Sequence, residues 1–221
     1  MTPRMEAVAS LVPAGSVVAD IGTDHAQLPI ALVKRGICPK ACAADIAEGP
    51  LQTARTNIAR EGLQDCIGTV LSDGFEHIPS DADCAVIAGM GFFTAAHILE
   101  AAADRLPAMR RIIIQVNNEA VRMRRWISEH KWEIVDERYV RERGKDYEVI
   151  AFRTAAHIPY TETEIRLGPC LMEQKGEEWL DYLRRQYDKA KRINALRREC
   201  AQPADEDLVQ AERILGDYLG V

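Results

Sequence analysis

The sequence predicts an α/β protein: a doubly wound, mostly parallel sheet with an antiparallel edge, followed by a small all-helical unit. Three observations predict it. From Ser16 to Phe152, short continuous apolar runs alternate with longer amphipathic stretches, the pattern of strands buried on both faces with helices between them. Two further strand-like runs then follow each other across Gly144, as in a hairpin. The character changes after Thr154, and from Thr161 onward no strand-like run appears.

The elements follow in order. Residues 17–21, 41–45, 66–70, 84–88 and 111–116 are the five apolar runs, too short for helices and rich in Val, Ile and Ala. Helical candidates at 26–35, 48–61, 92–104 and 118–130 connect and follow them. Trp132 to Arg141 and Asp146 to Phe152 supply the antiparallel edge. Ile158-Pro159-Tyr160 reads as a linker, which divides the chain into residues 1–156 and 157–221. In the second part Leu180, Leu183, Tyr187, Ala190, Ile193 and Leu196 recur at helical spacing. Cys200-Ala201-Gln202-Pro203 breaks that helix, and Leu208, Ala211, Leu215 and Tyr218 start another, so the tail predicts a helical hairpin.

Composition narrows the function. The chain has 221 residues, 47% hydrophobic and 28% charged, which suits a globular protein with a core and excludes disorder, collagen-like repeats and rods as its main theme. No apolar run approaches the roughly 18 residues of a membrane span. Met1 to Val12 lacks the build of a secretory signal, so a cytoplasmic protein is expected. A net charge of −6 means that any nucleic-acid contact needs a local basic patch. The six cysteines form no C-x-x-C and no zinc-ligand spacing, so they read as reduced thiols, and no metal is expected.

In a doubly wound sheet, ligands bind outside the carboxyl ends of the strands, so the residues after each run carry the information. The first run leads through Asp20 and Gly22 to Thr23, Asp24 and His25. It lacks the G-x-G-x-x-G that admits a pyrophosphate, which argues against NAD and FAD. Asp20 suits the cationic amino group of a ligand, and Gly22 lets the backbone approach it. Asp45 ends the second run, placed to accept the hydroxyls of a ribose. Ser72-Asp73-Gly74 follows the third and suits an adenine amino group. The fourth ends Ala88-Gly89-Met90-Gly91, whose glycines leave room for a planar group near the reacting centre. Ribose, adenine, amino acid and no phosphate together describe S-adenosylmethionine.

These residues also resemble a known family. Asp20-Ile-Gly-Thr-Asp-His25, Asp45 with Gly49-Pro50-Leu51, Ser72-Asp73-Gly74 and Ile87-Ala-Gly-Met-Gly91 are similar to the bacterial tRNA (adenine-N1)-methyltransferases that modify position 22, the TrmK family. Lys145-Asp-Tyr147-Glu148 and Leu167-Gly168-Pro169 fit as well. The resemblance covers nearly the whole chain. It implies a Rossmann-like class I methyltransferase domain, a coiled-coil-like helical tail, S-adenosylmethionine as cofactor and tRNA as substrate. Three positions depart from the family pattern: Gln27 stands where the family has a tyrosine, Phe92 where it has a glycine, and Val116 where it has a proline.

Each candidate has a plainer reading beside the functional one. His25 is either a base-pocket residue or a helix-start histidine. Asp20, Asp45 and Asp73 are either cofactor ligands or turn residues. Asn117 either reaches the target base or caps the helix beside it. Met90 and Phe92 are candidates for the wall that holds a displaced adenine. Arg185, Lys189 and Arg192 lie away from the apolar stripe of the first tail helix, within a stretch, Arg184 to Arg198, of seven basic residues against Asp188 alone. They meet either tRNA phosphates or the acidic second helix, and the resemblance favours RNA. A small-molecule or protein methyltransferase and a tRNA binder without catalysis stand as the alternative functions.

Overall fold

The computed structural model describes residues 1–221, in two compact units, Met1–Pro159 and Tyr160–Val221. The first holds one seven-stranded sheet: β1 (Val17–Ile21), β2 (Lys40–Asp45), β3 (Ile67–Leu71), β4 (Cys84–Met90), β5 (Arg111–Val116), β6 (Trp132–Glu142) and β7 (Lys145–Ala156). The strand order is β3-β2-β1-β4-β5-β7-β6. The first five strands are parallel, and β7 pairs antiparallel with both β5 and β6. The predicted sheet and its antiparallel edge are both present.

Helices α1 (Pro3–Ser10), α2 (Gln27–Lys34), α3 (Glu48–Arg60), α4 (Phe92–Ala101) and α5 (Ala120–Glu129) accompany the sheet. The core forms between them and the central strands, where Val18, Val86, Ile113, Val149 and Ala151 are buried beside Val8, Leu28, Leu32 and Ile58. Helix α1 is an element without a counterpart among the predicted ones. It starts at Pro3, capped by the Thr2 side chain, and buries only Val8 and Ala9, too short a face to register as periodicity. Two expected helix ends move inward by more than one residue. Asn118 is left-handed at φ 57°, which delays α5 to Ala120, and α4 stops at Ala101. Cys38, Cys42 and Cys84 are buried in this unit, and burial pushes their thiols up to about 11, 11 and 12, so they act as small core side chains.

One buried ionic group ties the edge hairpin to a helix. Arg124 of α5 is fully buried and reaches Glu137 of β6 at 2.6 Å and Glu148 of β7 at 2.8 Å. The hairpin itself closes through Arg143 and Gly144, both left-handed (φ 49° and 76°), between the paired residues Glu142 and Lys145. That is the two-residue turn whose twist matches the strands.

The second unit contains α6 (Glu162–Leu167), α7 (Pro169–Gln174), α8 (Glu177–Glu199) and α9 (Glu206–Leu219). Thr161 and Glu164 form a reciprocal capping box that starts α6. Helices α8 and α9 pack as the predicted pair, but the seam of α8 is rotated from the expected stripe. Trp179, Leu183, Ala190 and Asn194 are buried, whereas Leu196 is 52% exposed. Asn194 is buried because its amide donates to Leu208 O (3.1 Å) and to Glu212 Oε2 (2.7 Å), a polar clasp that fixes the register of the two helices. No helix in the chain is long and apolar enough to cross a membrane.

Candidate active site

Strands β1 and β4 are neighbours whose connections leave in opposite directions, so the crevice outside their carboxyl ends is the switch point of the sheet. Asp20, Gly22, Asp45, Ala88 and Gly89 lie at or just past the carboxyl ends of β1, β2 and β4. Gly22 turns the chain with φ 76°, and the amides of Gly22 and Thr23 both donate to Ala44 O at 2.9 Å, which locks the end of β1 to β2. Asp20 is buried, and its Oδ2 accepts from the Thr23 hydroxyl at 2.6 Å. Burial outweighs that hydrogen bond, and Asp24 and Asp45 add repulsion, so the Asp20 carboxyl is pushed up to about 6.

His25 and Ala26 are both left-handed (φ 60° and 56°), an uncommon pair of non-glycine residues just before α2. The His25 ring lies 3.0 Å from the Asp24 carboxylate and is about half exposed, and its carbonyl accepts from Asn57 of α3. So the ring is not consumed by a backbone contact at the helix start. Gln27 begins α2 and is exposed. At the tip of β2, Asp45 Oδ1 accepts from Ala47 N at 2.8 Å, a turn contact that engages one oxygen of the carboxylate.

After β3 the turn is closed by Ser72, whose hydroxyl donates to Gly74 O and accepts from His77 N. Asp73 is therefore not needed to close it and is exposed. Asp73 and Gly74 line a hollow of about 400 Å³ with Phe75, His97, Ile98 and Arg105. Gly74 is left-handed (φ 54°), and a Cβ there would press on Ile98.

Strand β4 carries a bulge between Ala88 and Met90, at Gly89 (φ 83°). Bulges re-aim side chains, and this one follows the last regular pair, Ala88 with Gln115. Met90 turns toward β1, with its methyl group in the space a side chain at Gly22 would need. Phe92 opens α4 and is half-buried, edge-on to the exposed ring of Phe93 with centroids 5.4 Å apart. Arg122 of α5 lies over both rings, at 4.9 and 4.5 Å. Phe92 is thus outside the core of α4. Asn117 does not cap α5: its amide donates to Gly89 O at 3.0 Å and its Oδ1 accepts from Gln115 at 3.3 Å. Val116 ends β5 as a buried residue.

Arg4 carries no signal in the sequence. Its guanidinium donates to the buried Gln115 at 2.7 Å and lies 5.5 Å from the Tyr147 ring centroid, so α1 reaches the end of β5. A contact across 111 positions leaves no local signal. Glu119 carries none for the same reason; its Oε2 accepts from Phe92 N at 2.8 Å.

In the second unit, Lys189 and Arg192 are exposed on α8 and form no ion pair with α9. Arg185 is half-buried, 5.9 Å from the Tyr182 ring centroid. Mutual neutralisation by direct contact therefore does not account for Lys189 and Arg192.

A sheet of this order, with acidic residues at the tips of β1 and β2 and glycines at the switch point, defines an S-adenosylmethionine-dependent methyltransferase of the Rossmann-like class. The chain belongs to the TrmK family, tRNA (adenine(22)-N(1))-methyltransferase, whose model matches residues 18–212. A Bacillus subtilis tRNA (adenine(22)-N(1))-methyltransferase is 37% identical over 186 residues, covering 81% of this chain and 78% of that one. Among solved structures, a Streptococcus pneumoniae protein in complex with S-adenosyl-L-methionine aligns at TM-score 0.87 and 31% identity, over 99% of both chains. M. capricolum TrmK in complex with S-adenosyl-homocysteine aligns at TM-score 0.83 and 27% identity, over 100% of this chain and 98% of that one.

Proposed function

We infer that this chain transfers a methyl group from S-adenosylmethionine to N1 of adenine 22 in tRNA. The observation that carries the reading is the family match across residues 18–212, which runs through every strand-end motif described above.

The strand ends fit the cofactor. Asp20 offers a buried carboxylate for a cationic amino group, and Gly22 carries no side chain beside it, with the flexible end of Met90 over it. Asp45 suits the ribose hydroxyls, Asp73 and Gly74 frame the adenine end, and Ala88 and Gly89 leave space at the reacting centre. Bound there, S-adenosylmethionine supplies an electrophilic methyl group on a sulfonium. The adenine N1 lone pair is already nucleophilic, so the protein needs no strong base. Its task is positioning, which contributes on the order of 7–11 kcal/mol in well-oriented systems.

The methylated base is cationic, and carbonyl oxygens stabilise such charge. Gly89 O and the Asn117 side chain supply them, with Asn117 held at both ends by hydrogen bonds. Met90 and Phe92 serve as the apolar wall for the displaced base, and His25 borders the pocket from the β1 loop. Arg185, Lys189 and Arg192 serve the tRNA phosphates from the helical unit.

Two measurements test the reading. Calorimetry should show S-adenosylmethionine binding that Asp45→Ala weakens by about 1.5–3 kcal/mol, the range for hydrogen bonds to a charged group. Nucleoside analysis of tRNA incubated with enzyme and cofactor should show 1-methyladenosine. A chain that binds the cofactor but labels no tRNA would overturn the substrate.

A further inference from the structure

The β6–β7 hairpin extends well past the sheet. The pairing of β7 with β5 ends at Ile150, yet β7 begins at Lys145, five residues further toward the carboxyl ends of the parallel strands. At about 3.4 Å per residue, the tip stands roughly 17 Å beyond the last paired residue. Beneath it is a hollow of about 350 Å³ lined by Arg4, Gly89, Asn117, Asn118, Lys145 and Tyr147. No acidic residue lines it, in a chain whose net charge is −6.

The nearby acids are already engaged. Glu142 accepts from the backbone amide of Arg4 at 2.9 Å, and this contact, with help from Thr2, holds its carboxyl below the usual range. Asp146 accepts from the Tyr139 hydroxyl at 2.5 Å and lies 3.9 Å from Arg141. Arg143 and Lys145 are exposed and form no ion pair, although the Arg143 charge helps to lower the Glu142 carboxyl. Arg143 also occupies a left-handed turn position where asparagine or glycine is favoured. Arg4 is held in place by Gln115 and Tyr147, a fixed cation on the wall of the hollow.

We propose that this hollow, with Arg4 on its wall and Lys145 and Arg143 at its rim, binds the phosphodiester next to the target adenosine. The proposal rests on the function inferred above. Displacing a base into a pocket requires its backbone to be held, and phosphate contacts set register without reading sequence. The hollow shares Gly89 and Asn117 with the candidate active site, so a phosphate held there borders the reacting base.

The test is the double variant Arg143→Asn and Lys145→Gln, the asparagine chosen to suit the turn. Titrating tRNA across 50–200 mM salt should show the slope of log affinity against log salt reduced by roughly 0.7–0.9 per lost contact, about 1.5 in all. The kinetic effect should fall on KM for tRNA rather than on kcat, S-adenosylmethionine affinity should hold, and Lys145→Arg should behave as wild type. An unchanged slope and KM in a double variant that melts like wild type would overturn the proposal, as would a loss confined to cofactor affinity. If the wild type puts no methyl on adenine N1, the functional reading fails, while a lowered salt slope in the double variant would still support the phosphate site.

Discussion

Met90 lays its methyl group over Gly22, so that an added Cβ at Gly22 would overlap it. The two residues come from β4 and from the turn after β1, on either side of the switch point. One contact therefore couples the turn after β1 to the bulged end of β4.

Gly22→Ala tests that coupling. The substitution meets two penalties: a left-handed backbone, which disfavours alanine by about 1–2 kcal/mol, and the Met90 methyl. The methyl is the end of a flexible chain, so Met90→Ala in the same molecule should recover part of the loss and leave the backbone part. Urea unfolding of the two single variants and the double variant measures this as a double-mutant cycle. Strict additivity would mean that the contact carries no energy.

Asp20 predicts a pH dependence with a definite sign. Its carboxyl sits near 6 in the folded chain against an ordinary 3.8, chiefly because it is buried. The folded state holds the proton more tightly, so this group's contribution to stability is full below about pH 4 and is lost as pH rises through 6. The loss amounts to about 3 kcal/mol. Asp20→Asn should accordingly be more stable than wild type at pH 7.5 and bind S-adenosylmethionine less well. Wild-type cofactor affinity should fall about tenfold per pH unit below 6, and the Asn variant should lose that dependence. An Asn variant less stable than wild type at pH 7.5 would show that the buried charge is not a burden.

Arg124 should tolerate no simple truncation. Arg124→Ala leaves Glu137 and Glu148 facing each other without their shared cation, and burial already raises the Glu148 carboxyl. Breaking such a group typically destabilises by about 3–5 kcal/mol. Chemical denaturation gives the number, and a loss under about 1 kcal/mol would mean that water reaches the site.

Much of this was legible in the chain. The parallel strands show as short apolar runs, the edge strand β3 least clearly because only Ile67 of it is buried, and Asp20, Asp45 and Asp73 stand at or just past the ends of β1, β2 and β3. What stayed hidden depends on distance along the chain or on short elements. Helix α1 buries too few residues to show periodicity, yet it delivers Arg4 to Gln115. The seam of α8 runs through Asn194 rather than Leu196, because Asn194 is buried by partners on α9 that no pattern within α8 reveals. The left-handed pair at His25 and Ala26 had no compositional sign, since neither is glycine.

The basic face of α8 gives a further prediction. If Arg185, Lys189 and Arg192 meet tRNA phosphates, changing all three to Gln should weaken tRNA binding regardless of sequence and reduce the salt slope by roughly 0.7–0.9 per contact. Cofactor affinity should not move. Unchanged tRNA affinity and slope would leave the helical unit as a structural appendage.

The most direct test of the central claim uses two transcripts of one tRNA, identical except for adenine or guanine at position 22, with labelled S-adenosylmethionine. Label is expected at N1 of adenine 22 in the first transcript and none in the second. Equal labelling of both transcripts, or of neither, would contradict it.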